Sequence, residues 1–401
     1  MTSKLEFVER AMVPGTKLAP LCREFGISRQ TGTKWMKRFR AEGYAGLEEH
    51  SRRPRSSPLS LAEELVMGVL QLRDRHPTWG PKKLRTLMVR RHGDEAPSVA
   101  TIARILKRAG VVRAKRRRTK PISIIDKAPT VVATAPNEVW TIDFKGWWRT
   151  HDGQRCEPLT VRDAYSRYIL AMTLVPATTA EAVRTELERL FKKYGLPAAF
   201  KCDNGSPFVS TRARGGFTQL SAWWASLGIR IVRSRPGCPQ DNGGHERMHR
   251  DVAQELEAAS ASDRRAQQRL IDRWLQEFNQ VRPHEALANK TPGEVYTPSV
   301  RRLHDPRPFP YPPAFTVRRV GVSGHILWQG ERCYVGMSFA GHHVALELIQ
   351  GLRWRLWFRD VDLGVIELLP ECFDRVVWDD RKEVTRKKRN RAESNRGEVA
   401  A

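Results

Sequence analysis

Residues 138–203 leave little freedom in how they can fold. Three strand-length runs come first: EVWTIDF at 138–144, then 159–163 and 168–175. A helical stretch follows, with Val183, Leu187, Leu190, Phe191 and Tyr194 on one face. A capping box at Thr178 and Glu181 opens it, Gly195-Leu196-Pro197 closes it, and another apolar run, AAFKCD, comes next. Strands joined by short turns pair antiparallel, whereas a helical crossover brings the chain back parallel, so the pattern predicts a mixed α/β sheet. In EVWTIDF the alternation sends Trp140, Ile142 and Phe144 to one face and Val139, Thr141 and Asp143 to the other.

The stretch before the sheet is helical in pattern. Leu21 and Phe25 share one helical face, Gly26 breaks the helix, and Ser28 caps a second helix whose inner face is Trp35, Met36 and Phe39. This helix-turn-helix pattern leaves Arg29, Gln30, Thr33 and Lys34 facing outwards, where a recognition helix meets DNA. SRRPRSSP at 51–58, with Arg52, Arg53 and Arg55, is a basic linker: a minor-groove arm or a solvated tether. A second helical module opens at a Ser60/Glu63 capping box, includes Lys82 and Lys83 in TWGPKKLRTLM, and ends with a helix capped by Ser98 and closed at Gly110. It reads as a second DNA-reading unit or as a structural bundle. RAKRRRTK at 113–120, with Arg116, Arg117 and Arg118, is suited to lying beside phosphates.

Charge narrows the class of partner. The 401 residues carry 70 Lys and Arg against 44 Asp and Glu, a formal net charge of +26, which points to a polyanion and, in practice, nucleic acid. No apolar run approaches the roughly 20 residues a membrane span needs, and the amino end lacks a signal-peptide core. The six cysteines are scattered without a C-x-x-C pair, so the expectation is reduced thiols in a cytoplasmic protein. Beyond Pro306 the signal is all-β: HILWQGERCYVG reads as a hairpin about Gln329-Gly330, and a further alternating pair breaks at Gly351, which together predict a small barrel. The tail from Arg381 is basic.

Three acids stand out against this background. Asp143 lies on a strand rich in Trp and Ile, and Asp203 ends the strand after the crossover helix, where sheets of this kind bind ligands. Two carboxylates in an apolar setting repel unless a proton or a hard cation sits between them, and Mg²⁺ suits such oxygen ligands. The third candidate is Glu246, after the glycine-rich PGCPQDNGG. It lies opposite the apolar stripe Met248, Val252 and Leu256 on its helix, with Arg250 one turn further on the same side. Asp163 reads as a structural salt-bridge partner of Arg162 or Arg167, Asn204 as a turn residue, and Arg282, Pro283 and His284 as packing.

TIDF with Asp143, CDNGSPF with Asp203, NGGHERMHR with Glu246, and FNQVRPHEALANKTPGEVY at 278–296 together resemble the retroviral-integrase and bacterial insertion-sequence transposase superfamily, the DDE enzymes. The resemblance covers 137–298, with helix-turn-helix regions in front and a β-rich region behind arranged as in relatives. It implies helix-turn-helix modules at 1–50 and 59–112 (the latter of winged-helix or helix-turn-helix type), basic linkers at 51–58 and 113–136, an RNase-H-like catalytic core at 137–300, an SH3-like β-barrel at 306–380 and a basic tail at 381–401. It further implies a transposase that binds terminal inverted repeats, cuts transposon ends and joins the 3′-hydroxyls to target DNA with two Mg²⁺ ions, or Mn²⁺, held by Asp143, Asp203 and Glu246. His249 and Arg250 would lie near DNA. A homodimer or higher multimer assembled on double-stranded DNA, associated with the bacterial nucleoid, is the expected partner state. The rival readings are a DNA-binding regulator with an inactive core and a metal-dependent nuclease without strand transfer. Two departures from the family pattern stand: the interval from Asp203 to Glu246 is longer than usual, with the surplus placed in STRARGGF (210–217), and the zinc module of retroviral integrases is missing.

Overall fold

The structure, a computed structural model, describes residues 2–49, 61–112, 131–210, 213–235, 243–305, 308–328 and 330–367. The linker arginines at 52, 53, 55 and 116–118, the Ser60 cap and the tail therefore lie outside the described residues, as does the loop leading into Glu246's helix. The chain divides into two compact units at Glu64/Leu65.

The first unit holds α1 (Thr2–Ala11), α2 (Leu18–Glu24) and α3 (Arg29–Glu42). Its core joins Phe7, Val8, Leu21, Cys22, Met36 and Leu47, with Trp35 and Phe39 partly buried against them. Ser28 caps α3 by accepting the Thr31 N–H at 3.1 Å, as expected. Gly32 is required by close packing: a Cβ there would stand 2.6 Å from Cys22 Sγ and 2.7 Å from Phe7. Arg29, Gln30, Thr33 and Lys34 are exposed on the outer face of α3. The sequence reading missed α1, which supplies Phe7 to the core.

The second unit continues α4 (Glu63–Arg75), then α5 (Pro81–His92) and α6 (Val99–Arg108). Ser98 caps α6 through the Thr101 N–H at 3.2 Å, and Gly110, at φ +71°, turns the chain out of it. The sheet follows: β1 (Val139–Phe144), a small ribbon of β2 (Trp148–Arg149) and β3 (Arg155–Cys156), β4 (Pro158–Asp163), β5 (Ile169–Leu174), the crossover helix α7 (Ala180–Tyr194), β6 (Ala199–Cys202), α8 (Gln219–Ser226) and β7 (Arg230–Arg233). Its order is β5-β4-β1-β6-β7. The hairpin-linked strands pair antiparallel, while β6 lies parallel to β1 and β7 parallel to β6, the mixed sheet expected from the helical crossover. One correction concerns α7: Thr179, not Thr178, is its cap, accepting the Ala182 N–H at 3.3 Å. The helix starts one residue later than the Thr178/Glu181 pattern predicts.

Helices cover both faces of the sheet. On one side Trp140 packs with Phe191 and Phe200 at ring distances of 6.1 and 6.0 Å, within a core that includes α7 and α8. On the other, α9 (Gly243–Val252) and α10 (Arg264–Gln280) place Met248, Val252, Leu256, Ile271 and Trp274 against Ile169 and Met172. Each large side chain buried this way contributes about 1.5–3 kcal/mol. A π-helical stretch, Ala253–Glu257, continues α9, and α11 (Pro292–Val295) is opened by a Thr291/Glu294 capping box.

The β-rich region contains β8 (Thr316–Arg319), β9 (His325–Trp328), β10 (Glu331–Tyr334), β11 (His343–Gln350), β12 (Arg353–Phe358) and β13 (Val361–Glu367). The hairpins fall where the sequence places them. The predicted barrel, however, is not closed among the described residues: the strands form a four-stranded sheet, β13-β12-β11-β8, and a separate β9-β10 ribbon over one core. Phe217, which closes the 210–217 stretch, belongs to that core. Phe217 packs on Phe339 and Phe358 at 5.6 and 5.4 Å, and its carbonyl accepts the Ser338 hydroxyl at 2.7 Å. Phe217 thus anchors the β-rich region to the sheet domain.

Candidate active site

β1 and β6 bring two of the three acids together. Their parallel register pairs Val139 with Ala199, Trp140 with Phe200 and Thr141 with Lys201. Asp143 and Asp203 each follow two residues beyond the last pair, so they come side by side at the carboxyl ends of neighbouring strands, where open α/β sheets bind ligands. Asp143 is half-buried and Asp203 exposed. The turn after Asp203 is tied down: its Oδ1 accepts the Gly205 N–H at 3.2 Å, and Asn204 Nδ2 donates to the Ser234 carbonyl at 2.9 Å. Asn204 is therefore the turn residue expected.

Glu246 is carried by the first turn of α9, and a histidine fixes that turn. His245 is fully buried between two threonines, with Nδ1 2.7 Å from Thr141 Oγ1 and Nε2 2.7 Å from Thr160 Oγ1. Burial, then the neighbouring His249 and Arg162, holds its pKa well below the usual imidazole range, so the ring is neutral. With a neutral ring, the assignment that satisfies the three contacts of 2.8 Å or less has Thr141 donating to Nδ1 in place of its longer 3.2 Å bond to the Arg162 carbonyl, Nε2–H donating to Thr160, and the Thr160 hydroxyl donating to the Asp143 carbonyl at 2.8 Å. A hydrogen-bonded chain thus runs from α9 to the backbone of Asp143 itself. The His249 Nε2 also reaches Thr160, at 3.1 Å, so this ring is turned towards the sheet, and burial pushes it down to about 3. Arg250 is exposed, as is Glu246.

The electrostatics of the three acids are linked. Asp143 is pushed up to about 7, first by burial, then by the like charge of Asp203, with Glu246 adding to it. The carboxylates do not form a ready ligand cage: among the described residues no three His, Cys, Asp or Glu side chains lie close enough to hold an ion as they stand. The site is one of crowded negative charge with two exposed, solvent-facing members.

Asp163 has the structural role predicted, but through different partners. It is fully buried and accepts the Asn137 N–H at 2.7 Å, the Ser166 N–H at 2.7 Å and the Ser166 hydroxyl at 2.5 Å, rather than pairing directly with Arg162 or Arg167. Backbone donors in the tight turn after β4 satisfy it first.

Arg282 is a packing residue of unusual reach. It is 2% exposed, with Nη1 2.9 Å from Asp251 and Nη2 2.7 and 2.5 Å from the two Glu255 oxygens, and its guanidinium stacks over Trp79, Trp274 and Phe278 at 5.3–5.6 Å. The Thr78 hydroxyl and Trp274 Nε1 also donate to Glu255, each at 2.5 Å, and His76 Nδ1 meets Glu277 at 2.9 Å. The segment between α4 and α5 is thereby locked onto α9 and α10. Lys82 pairs with Glu285 at 2.6 Å, and Lys83 lies half-buried beside it. Nothing in the sequence pattern singled out Thr141, Thr160 or His245; the signal was the i, i+4 pair His245 and His249 flanking Glu246.

Comparison with known proteins agrees with this architecture. The integrase core domain family matches residues 133–239, and a second integrase core family matches 227–292. A helix-turn-helix domain matches 3–55 and a homeodomain-like domain 31–106. The chain is 26% identical over 284 residues to a 39.2 kDa insertion-element IS476 protein of Xanthomonas euvesicatoria, covering 70% of this chain and 78% of that one. It is 28% identical over 236 residues to a 31.7 kDa insertion-element IS407 protein of Burkholderia multivorans, covering 58% and 80%. Among solved structures, the HTLV-2 integrase catalytic core in complex with magnesium shares 15% identity over 41% of this chain and 100% of that one, a loose likeness at a TM-score of 0.33.

Proposed function

We propose, from the premise that this chain belongs to the bacterial insertion-sequence transposases of the integrase superfamily, that it cuts the ends of its element and joins the freed 3′-hydroxyls to target DNA. The observation that carries this reading is the register of β1 and β6, which sets Asp143 beside Asp203, with the helix α9 that bears Glu246 tied by His245 to Thr141 on β1 and Thr160 on β4. All three donors are hard oxygens, and the burial and the like charge of Asp203 and Glu246 that push Asp143 up to about 7 are what a divalent cation would offset, so the residues fit Mg²⁺ or Mn²⁺. When bound, two such ions would supply Lewis-acid stabilisation of the attacking and leaving oxygens.

The remaining roles fall to the chain. Asp143, Asp203 and Glu246 hold the catalytic face, and the His245–Thr160 chain keeps Glu246's helix in place over Asp143. In the first step a water oxygen attacks the scissile phosphorus and the 3′ oxygen leaves as a hydroxyl; in the second, that hydroxyl attacks a target phosphodiester and a target 3′-hydroxyl leaves. The exposed face of α3 reads the terminal repeats, aided by the helices at 65–112, and the basic segments and the β-rich region contact backbone or a neighbouring subunit. Two ends must be held at once, so the working form is a dimer or higher multimer on DNA in the cytoplasm.

The test incubates protein and Mg²⁺ with an end-bearing duplex and a target plasmid. Joined products that vanish in Asp203→Asn support the reading. Binding without cleavage identifies a regulator, and nicks without joining identify a nuclease.

A further inference from the structure

A second site lies on the flank of α9 turned away from Glu246. Gly244, Arg247, Met248 and Asp251 recur at helical spacing along that flank and wall a cavity of about 640 Å³. Its other walls are the start of α5, the turn after β4 and the loop after α10. Two of its charged pairs are closed: Lys82 with Glu285, and Asp251 with Arg282. Four cations remain, Lys83, Arg162, Arg167 and Arg247, and among the described residues none has a carboxylate at ion-pair distance. The nearest acid to Arg162, Asp163, spends its oxygens on the Asn137 and Ser166 donors.

This crowding leaves its mark on the groups involved. Burial, then Arg282, pushes Lys83 down to about 8; burial, then Arg167, pushes Arg162 down to about 10; and Arg167 is lowered by burial and then by Arg247. Two residues of the lining also carry a buried nitrogen without a partner. Arg162 is 6% exposed and its buried Nε has no partner, and the buried Nε2 of His284 has none either. His284 is held neutral, at about 3, by burial and then by Lys83, Arg167, Arg282 and Arg162, so it adds no charge to the cleft. Arg162 also packs directly against Gly244, leaving no room for a side chain there. Unpaired positive charge gathered around one cleft is completed by an anion. The cavity is far larger than a lone phosphate needs and falls in the range of clefts that enclose an organic ligand, about 300–1,000 Å³. Planar guanidinium forks suit phosphate oxygens.

We propose that this cleft grips a phosphodiester of the DNA backbone through Lys83, Arg162, Arg167 and Arg247. The choice of DNA as the polyanion rests on the proposed transposase reading; the anion site itself rests on the cavity. Contacts of this kind position DNA without reading its sequence, so an end-bearing duplex and an unrelated duplex are held equally.

The experiment compares the full chain with Lys83→Gln, Arg167→Gln, the double variant, and Lys192→Gln as an exposed control on α7. Binding to both duplexes is measured by anisotropy over a range of salt, without divalent metal. Each cleft substitution is expected to lower the slope of log K against log salt by about 0.9 and the double by about twice that, equally on both duplexes, while the control keeps the wild-type slope. Inorganic phosphate, at matched ionic strength, is expected to raise the melting temperature of the wild type and not of the double variant. A double variant with the wild-type slope, or equal stabilisation of both proteins by phosphate, overturns the proposal. A wild type that binds DNA and never joins it leaves the slope result standing and overturns only the transposase reading.

Discussion

Asp143 and Asp203 end adjacent parallel strands in the same register, two residues past the Thr141–Lys201 pair. The sheet therefore holds two carboxylates together by backbone geometry, and the repulsion between them is built into the fold.

The burial of Asp143, reinforced by that repulsion, gives a first prediction. Asp143 has a folded pKa of about 7 against an ordinary 3.8, so the folded state binds its proton more tightly than the unfolded state does. Stability without metal falls as pH rises from about 4 to 7, and Asp143→Asn escapes this loss. The variant is expected to be more stable than wild type at pH 8 by on the order of 2–4 kcal/mol and close to it at pH 4, read by urea melts without divalent ions. The same variant, like Asp203→Asn, is expected to lose strand joining by more than about 100-fold, since metal stabilisation is worth several kcal/mol.

Lys83 titrates with the opposite sign. Its folded pKa, about 8, lies below the ordinary 10.5, so between those values the unfolded chain holds the extra proton and stability rises with pH. Lys83→Met removes this dependence and is expected to stabilise the protein at pH 7 by about 2–3 kcal/mol. Parallel melts at pH 7 and 10 check it: the variant's advantage should shrink at the higher pH.

Arg282 is buried with two carboxylates and three aromatic rings around it. Arg282→Met leaves Asp251 and Glu255 without their cation and is expected to cost about 3–5 kcal/mol in chemical denaturation. Lys82→Gln, which breaks only an exposed pair with Glu285, is expected to cost less than about 1 kcal/mol.

His245→Ala removes the ring between Thr141 and Thr160 and frees the first turn of α9. Two hydrogen bonds are lost in a buried site, so a stability loss of about 2–3 kcal/mol is expected. Binding of end DNA should persist while joining falls at least about tenfold, because Glu246 loses its register with Asp143. Unchanged joining would mean that α9 is held some other way.

Much of this was legible in the sequence, and the misses have physical causes. The alternation in 138–144 and the single crossover helix were enough for a mixed sheet, because strand direction follows from connection type. The cap at Thr179 was misplaced by one residue because two threonines precede the helix and either can cap. β7, with only two apolar residues in four, carried no periodic signal. Asp143 and Asp203 could be found as acids at strand ends, but their side-by-side placement depends on interstrand register, which a single strand does not display. The cleft cations come from α5, β4 and its following turn, and α9; no local pattern joins them, and only their convergence makes Arg162 and Arg167 more than surface-type residues.

The Arg282 lock has one further consequence. It fastens the 76–79 segment, and with it α5 and α6, to the helix that carries Glu246, within one compact unit. On the proposed reading, a duplex seated on those helices would meet the three acids at an offset set by protein packing. In the proposed transposase such an arrangement would work as a ruler: the break would fall a constant number of base pairs from the recognised motif, and moving the motif by half a helical turn would swing the scissile bond out of reach.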